Sequence, residues 1–311
     1  MRILVSGALG QDGSILSDIL IGRGHDVWGT THTEISTSIY NPRLLVLPAK
    51  SPEDYSQILD DLKPELVFHF AAKHVSSEHK EIISKDIRKE MYECHFGITK
   101  SILDWQAHNK DSKSLIALSS QMYSPTQMNT LISSKSFFSP SSYYGETKMF
   151  AFELMREYRK KFGVKTYGAI LFNHTSIRNK ASFLFPRLAR EVSNLVRGFS
   201  SAITINDSNA LVDICHASEV CNGVIQLINY SEPVDLVFSS GKLVPIADVV
   251  SDALQMFNYN KPFQLKSRGE SGRPRYYLVG DNREAFTLIS WKAEMSPAEI
   301  LAEQVQTHLI Q

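Results

Sequence analysis

A tyrosine and a lysine lie four residues apart in the segment Tyr144-Gly145-Glu146-Thr147-Lys148. Residues at this spacing share one face of a helix, so the phenol and the ammonium group are expected to be neighbours. A nearby positive charge favours the phenolate, and we therefore expect Lys148 to lower the pKa of Tyr144 and let it exchange a proton with a hydroxyl group near neutral pH. The same spacing also occurs by chance in many helices, as an ordinary exposed pair.

A glycine-rich loop follows the first apolar run, Arg2–Ser6, and leads into a helical pattern that starts at Ser14. Glycine lets the backbone turn tightly and approach a pyrophosphate, whose charge the N-terminus of a helix stabilises. A structural turn is the alternative, but the position between the first strand and the first helix predicts dinucleotide binding. The expected contacts in this loop are Gly7, Gly10, Gln11, Asp12 and Gly13.

The end of the second predicted strand indicates which dinucleotide is bound. An acidic residue there would bind the ribose 2′-hydroxyl of NAD and repel a 2′-phosphate. The chain instead has Gly29-Thr30-Thr31-His32, without an acid. Thr31 and His32 are therefore expected to contact the cofactor, with NADP(H) preferred and NAD(H) as the alternative.

Strand and helix patterns alternate through the first half of the chain. Apolar runs predict strands near 2–6, 26–29, 43–47, 66–70, 114–118 and 164–171. Helical patterns start near Ser14, Ser51 and Ser84, and another runs from Tyr144 to Lys161. This alternation predicts an α/β fold with a doubly wound parallel sheet, whose ligands bind at the carboxyl ends of the strands.

The pattern changes after Asn173, where helices near 181–196, 216–229 and 246–257 mix with shorter strands. We therefore predict two parts. Residues 1–172 form the dinucleotide-binding domain, which also receives a strand and a helix from about 211–245. Residues 173–311 form a smaller, partly interleaved substrate-binding region.

Composition excludes several classes of protein. Lys+Arg and Asp+Glu both number 33, so no net field attracts nucleic acid or an anionic membrane. The three cysteines, Cys94, Cys215 and Cys221, lack the paired spacing of a zinc site and predict reduced thiols rather than a metal centre. The first apolar run is too short for a signal peptide, and no run has the length of a membrane span. These features predict a cytoplasmic protein.

The fifth strand ends in Ser119-Ser120-Gln121, at the sheet edge where the glycine loop also lies. A hydroxyl group there can hydrogen-bond a substrate oxygen while hydride moves, although serines also occur at strand ends simply as turns. The order of glycine loop, strand-end serines and Tyr144 with Lys148 resembles the extended short-chain dehydrogenase/reductases. The resemblance implies a Rossmann fold in which Ser119, Tyr144 and Lys148 surround the nicotinamide, with Lys148 also contacting the cofactor.

Several segments narrow the resemblance to GDP-mannose 4,6-dehydratases and the related GDP-4-keto-6-deoxymannose reductases. They are 10–14, 68–73, 171–178, 183–187, 272–274, 279–282 and 290–292, and they extend over nearly the whole chain. The resemblance implies a nucleotide-diphosphate sugar as substrate and a homodimer or homotetramer. It also implies cofactor contacts from Ala71 and Ala72, a substrate contact from Asn173, and diphosphate binding by Arg187 and Arg273.

One departure from the family pattern changes the expected chemistry. Gln121 occupies the catalytic position at which the dehydratases have a glutamate, two residues after the Ser119 position. An amide cannot transfer the proton at sugar carbon 5, so a general acid–base contribution of roughly 10²- to 10⁴-fold is lost. Hydride transfer at carbon 4 needs only Ser119, Tyr144 and Lys148.

We therefore expect a 4-keto reductase, a 4-dehydrogenase or an epimerase. A 4,6-dehydratase that uses another carboxylate is the alternative, and a catalytically silent dinucleotide-binding regulator is a minor one. Ala49, Cys94 and Val212 also depart from the family pattern, which leaves the nucleotide carrier open.

Overall fold

The computed structural model describes residues 1–32, 41–74, 84–124, 130–205, 207–267 and 277–310. Its helices are α1 (Gln11–Gly22), α2 (Pro52–Leu62), α3 (Lys85–Tyr92), α4 (Ile98–His108), α5 (Tyr143–Phe162), α6 (Leu184–Val196), α7 (Ala217–Ile228), α8 (Ile246–Met256), α9 (Arg283–Ile289) and α10 (Pro297–Ile310). Its strands are β1 (Arg2–Ser6), β2 (Asp26–Thr31), β3 (Leu45–Pro48), β4 (Leu66–His69), β5 (Lys113–Ser119), β6 (Thr130–Ile132), β7 (Lys165–Leu171), β8 (Asn173–Thr175), β9 (Ala202–Ile205), β10 (Leu211–Val212), β11 (Ile214–His216), β12 (Asp235–Phe238), β13 (Val244–Pro245), β14 (Gln264–Ser267) and β15 (Leu278–Gly280).

Within these residues, seven strands form one sheet in the order β12-β7-β5-β4-β1-β2-β3, and every neighbouring pair is parallel. The chain proceeds from β1 to β2 and β3 on one side, then returns to β4 and continues to β5, β7 and β12 on the other. This confirms the predicted doubly wound parallel sheet. The winding reverses between β1 and β4, so a ligand cleft is expected at their carboxyl ends.

Helices cover both faces of the sheet, and apolar side chains fill the space between the layers. On one face, Ile3 and Val5 of β1 belong to the same buried cluster as Leu16 of α1 and Val220 of α7. On the other face, Leu4 belongs to a second cluster together with residues of α2, α4 and α5, including Leu59, Ile102 and Phe152. The sheet is therefore a rigid platform for the loops at its edge.

The C-terminal region has a buried cluster of its own, formed by α6, α8, α10 and β9. Two short strand pairs lie outside the large sheet: β8 pairs with β11, and β6 pairs with β15 of the C-terminal region. The chain also returns to the main sheet, because β12 forms its outer strand beside β7. The loops that lead to α6 thus begin at the same edge as the predicted cofactor site.

The helical stretch predicted from Ser84 to Gln106 contains one irregularity. The Ser84 hydroxyl accepts a hydrogen bond from the Ile87 amide and starts α3, but α3 and α4 are separated by a wider π-helical turn, Glu93–Gly97. The Ile98 amide there donates to the Glu93 carbonyl, five residues back. Such turns often occur at functional sites.

Helix α5 begins and ends within one residue of the predicted range, 144–161. The Ser142 hydroxyl accepts from the Gly145 amide at the N-terminus, and Gly163 takes a left-handed conformation at the C-terminus. Among the described helices, none is long and apolar enough to cross a membrane. The three cysteines are free, with Cys215 and Cys221 buried and Cys94 partly so.

Candidate active site

The N-terminus of α5 packs directly against the turn that ends β5. A Cβ atom at position 145 would lie 2.0 Å from the Gln121 carbonyl oxygen, so only glycine allows this close approach. Ser119 is the last residue of β5, and its hydroxyl accepts a hydrogen bond of 3.2 Å from the backbone amide of Gln121. The packing therefore brings Ser119, Gln121, Tyr144 and Lys148 to one place at the carboxyl edge of the sheet.

The pKa values of Tyr144 and Lys148 are dominated by burial. Burial raises the pKa of Tyr144 above its ordinary value, and a hydrogen bond with Ser119 opposes this only in part. Burial also lowers the pKa of Lys148 to about 8. The Lys148 ammonium group donates a 2.7 Å hydrogen bond to the Ala117 carbonyl. In this cofactor-free structure burial is the largest influence on the pKa of Tyr144 and raises it, so the expected effect of Lys148 on that pKa stays a prediction.

Two imidazole rings flank the Tyr144 ring nearly at right angles. The His74 and His95 centroids each lie 5.0 Å from the tyrosine centroid, at interplanar angles of 77° and 84°. His95 belongs to the π-helical turn and is buried. Neither histidine was predicted from the sequence. The position of His74 after β4, at the carboxyl edge of the sheet, could have indicated a site residue.

His95 connects the loop after β4 to α5. Its Nε2 atom accepts from the Lys73 amide at 3.1 Å, and its Nδ1 atom lies 2.7 Å from the Thr147 hydroxyl. The Thr147 hydroxyl in turn donates to the Tyr144 carbonyl at 2.9 Å. These hydrogen bonds hold the helix turn that carries Tyr144. Burial keeps the pKa of His95 well below its ordinary value.

Gln121 does not face the cleft as an isolated amide. Its Oε1 atom accepts a 3.1 Å hydrogen bond from the Ser142 hydroxyl, and its Nε2 atom lies 3.4 Å from the Nε2 atom of His74. The position that carries a glutamate in the resembled dehydratases is thus part of a hydrogen-bonded cluster with a histidine.

The glycine loop has the shape required to hold a pyrophosphate. Gly7 has a φ of 72°, and a Cβ atom there would lie 2.8 Å from the Ala71 amide nitrogen. A Cβ atom at Gly13 would lie 2.3 Å from the Gly7 carbonyl oxygen. Gly10 precedes α1 and has no side chain to cap it, so the first amide groups of α1 can bind an anion. These residues fit a dinucleotide. Ala72, the next residue after Ala71, is exposed at the same edge of the sheet.

The side chains of Gln11 and Asp12 bind the segment that follows β7 rather than the centre of the cleft. Asp12 forms a 3.0 Å ion pair with His174, and the Gln11 amide oxygen accepts from the Ser176 hydroxyl at 3.1 Å. Burial lowers the pKa of His174, but Asp12 outweighs it and raises that pKa to about 8. A contact of Gln11 or Asp12 with a cofactor would therefore involve their backbone.

The end of β2 has a positive environment. Thr31 is buried, and its carbonyl accepts a 2.8 Å hydrogen bond from the Ala49 amide. His32 is exposed, and its pKa is lowered by partial burial and by the charges of Lys73 and Lys180. Lys73 also forms a 2.6 Å ion pair with Glu90, which reduces its share of this field.

Two of the three predicted substrate residues, Asn173 and Arg187, lie among the described residues. Asn173 is exposed at the carboxyl end of β7, and its amide donates to the Asp213 carbonyl at 3.3 Å. Arg187 lies on α6 and lines a cleft between α6 and β9 together with Glu191 and Thr204. Arg273 lies outside the described residues, so its role remains a prediction.

A doubly wound sheet with a glycine loop at its reversal point and a Ser–Tyr–Lys set beside it defines an NAD(P)-dependent enzyme of the extended short-chain dehydrogenase type. The family model for GDP-mannose 4,6 dehydratase matches residues 4–304. The chain therefore belongs to the GDP-mannose 4,6-dehydratase family, whose members and structural neighbours include nucleotide-sugar dehydratases and epimerases.

Individual relatives are distant in sequence but similar over their full length. A GDP-mannose 4,6-dehydratase of Vibrio cholerae is 24% identical over 359 residues, covering 99% of this chain and 94% of the relative. The UDP-glucuronic acid 4-epimerase of Bacillus cereus in complex with NAD has a TM-score of 0.78 at 19% identity, with both chains covered completely. The protein RMD of Pseudomonas aeruginosa complexed with NADPH has a TM-score of 0.76 at 17% identity, covering 100% of this chain and 99% of that one.

Proposed function

We propose that the protein transfers hydride at carbon 4 of a GDP-linked or other nucleotide-diphosphate-linked hexose, as a 4-keto reductase, a 4-dehydrogenase or an epimerase. A nicotinamide dinucleotide, when bound, supplies or accepts the hydride. Tyr144 exchanges the proton of the carbon 4 oxygen, and Ser119 holds that oxygen by a hydrogen bond. Lys148 provides a positive charge beneath the site.

The observation that carries the proposal is the amide at position 121. Dehydration at carbons 5 and 6 requires a group that takes up one proton and delivers it to the leaving hydroxyl. Gln121 can hydrogen-bond but cannot accept a proton, and its side chain is already bonded to Ser142. Hydride exchange at carbon 4 needs no proton transfer by the side chain at this position.

Tyr144 can serve both directions of the proposed reaction. As a neutral phenol it donates its proton to the oxyanion that forms when a carbon 4 ketone receives hydride, and as a phenolate it accepts the proton of a carbon 4 hydroxyl that is oxidised.

Two parallel reactions test the proposal. The protein is incubated with GDP-mannose and NADP⁺, and separately with the GDP-4-keto-6-deoxy sugar and NADPH, while absorbance and sugar NMR are followed. We expect cofactor oxidation in the second reaction only. Formation of a 4-keto-6-deoxy product from GDP-mannose would refute the reductase assignment.

A variant pair tests the role of Tyr144. Tyr144→Phe should lose at least 10²-fold in kcat, because the proton donor is removed. Tyr143→Phe is the matched control, since this neighbour packs under Arg88 instead. Full activity of Tyr144→Phe would exclude the proposed proton transfer.

The 4,6-dehydratase is the second candidate, because the family model and the named relative both favour it. It predicts that Gln121→Glu leaves the reaction type unchanged. A silent regulator would bind the dinucleotide without turnover in either reaction.

We also propose that NADP(H) is preferred over NAD(H). The charges of Lys73, Lys180 and Lys50 act on His32 at the end of β2, and positive potential there suits a 2′-phosphate. His32→Asp should reduce the preference for NADPH over NADH, measured as a ratio of kcat/KM values. An unchanged ratio would contradict the assignment.

A homodimer or homotetramer in the cytoplasm completes the proposal, on the basis of family resemblance and of the neutral composition. Light scattering on the purified protein tests the assembly, and a monomer would contradict it.

A further inference from the structure

The orientation of the Gln121 side-chain amide determines the direction of the hydrogen bonds around it. The Gly145 amide donates to the Ser142 oxygen at 3.1 Å, so the Ser142 hydrogen is free to donate to the Gln121 Oε1 atom, also at 3.1 Å. With its oxygen facing Ser142, Gln121 turns its NH₂ group toward the Nε2 atom of His74 at 3.4 Å. An NH₂ group can only donate, so this orientation of the Gln121 amide requires Nε2 of His74 to be unprotonated and Nδ1 to carry the hydrogen.

The surroundings of His74 favour this neutral form. The ring lies against Tyr144 of α5 and 5.9 Å from the ring of Phe183, which precedes α6. Partial burial lowers the pKa of His74, and the charge of Lys180 lowers it further. His95 of the π-helical turn is also neutral and offers no stabilising negative charge.

We propose that Gln121 and His74 act as one unit that recognises substrate: Gln121 fixes His74 as a neutral imidazole whose Nδ1–H donates a hydrogen bond to an oxygen of the hexose held over Tyr144. This rests on the proposed function, because it requires a sugar at Tyr144. The rings of His74 and Tyr144 are adjacent, so they can reach neighbouring substituents of one hexose. The unit therefore selects a sugar with a hydroxyl or carbonyl oxygen next to carbon 4.

A glutamate at position 121 would reverse this arrangement. A carboxylate only accepts hydrogen bonds, so it would draw a proton to Nε2 of His74 and favour the imidazolium form. Compared with a glutamate at position 121, the Gln121 amide therefore has two effects. It removes a proton acceptor, and it keeps His74 as a neutral hydrogen-bond donor instead of a group that can be charged.

Histidine ¹⁵N NMR tests the proposal without any assay of activity. Long-range ¹H–¹⁵N spectra at neutral pH separate the two neutral tautomers and the imidazolium, and His74→Asn assigns the signal. We expect Nδ1–H in the native protein, and protonation of both nitrogens in Gln121→Glu. A native His74 protonated at Nε2 would overturn the proposal, whatever the protein's activity.

Two other histidines calibrate the same spectrum. His69 donates from Nε2 to the Cys94 carbonyl at 3.2 Å, so it should show the opposite tautomer. His174 contacts the Phe172 carbonyl through Nδ1 and Asp12 through Nε2, so it should be protonated at both nitrogens.

Kinetics then distinguish substrate recognition from proton transfer. His74→Phe should lower kcat/KM for the sugar about tenfold, the value of one hydrogen bond, mostly through KM. It should leave the shape of the pH profile of kcat and the affinity for NADPH unchanged. Loss of a limb of the pH profile near pH 6, or an unchanged kcat/KM for the sugar, would overturn the proposal. If no sugar is turned over, the proposed function fails, while the NMR outcome still decides the state of His74.

Discussion

The ion pair between Asp12 and His174 should make the stability of the cofactor-free protein depend on pH in a defined window. The pair joins the first turn of α1 to β8, and its side chains are only 20% and 14% exposed. Asp12 raises the pKa of His174 from 6.5 to about 8. Since a tenfold change in proton affinity corresponds to about 1.4 kcal/mol, this difference is worth about 2 kcal/mol of folding free energy.

The sign follows from the protonation of His174. The pKa of the folded state lies above that of the unfolded chain, so the stabilisation is complete below pH 6.5 and is lost as the pH rises through about 8. Asp12→Asn removes the effect. Relative to this variant, the native protein should lose about 2 kcal/mol of unfolding free energy between pH 6 and pH 9, as measured by urea denaturation.

A second variant on the same helix is the matched control. Asp18 forms a 2.6 Å ion pair with the guanidinium group of Arg178, and guanidinium groups stay charged in proteins. Asp18→Asn should therefore shift stability by the same amount at both pH values. Titrations elsewhere, such as that of Lys148, contribute equally to the native protein and to Asp12→Asn and cancel in the comparison. Parallel plots of unfolding free energy against pH for these two proteins would therefore show that the ion pair between Asp12 and His174 has no such effect.

Three further substitutions test the packing around Tyr144. Gly145→Ala should cost about 1–3 kcal/mol of stability, measured by denaturation, because its Cβ atom overlaps the turn after β5, whereas Gly22→Ala meets no atom within 4 Å and should not destabilise. Lys148→Met should abolish activity yet raise stability by up to about 3 kcal/mol below pH 8, since burial lowers that pKa from 10.5 to about 8, and the gain should fade as the pH rises toward 10.5. Thr147→Val should cost about 1–3 kcal/mol of stability, because the buried Nδ1 atom of His95 loses its hydrogen-bond partner. Unchanged stability together with native kcat would show that the hydrogen bonds through His95 do not hold Tyr144 in place.

Local sequence signals were sufficient for the sheet and for α5. The apolar runs of β1 and β5 are continuous because both faces are covered. Helix α5 begins and ends within one residue of its predicted range. The β4 and β2 strands also occur where their apolar runs lie, although their ends differ by one or two residues. These elements are determined by residues close together in the chain.

The contacts around Tyr144 depend on distant residues and were not predicted. His74 and His95 are 70 and 49 positions away in the sequence, and nothing local to them indicates a tyrosine partner. Burial, which raises the pKa of Tyr144, could not be predicted either, because helical spacing describes the neighbouring charge but not the depth of burial. Short strand pairs such as β6 with β15 likewise follow from how the C-terminal region docks, not from their own three residues.

The π-helical turn limits how this chain can change in length. Its extra residue lets the helix supply the Cys94 carbonyl to His69 and the His95 ring to Thr147 from adjacent positions. Deleting one residue from Glu93–Gly97 would restore regular pitch but rotate α3 by about 100° relative to α4. Relatives that keep both contacts should therefore accept substitutions in this turn but not single-residue deletions, so an alignment gap here would signal a differently built active site.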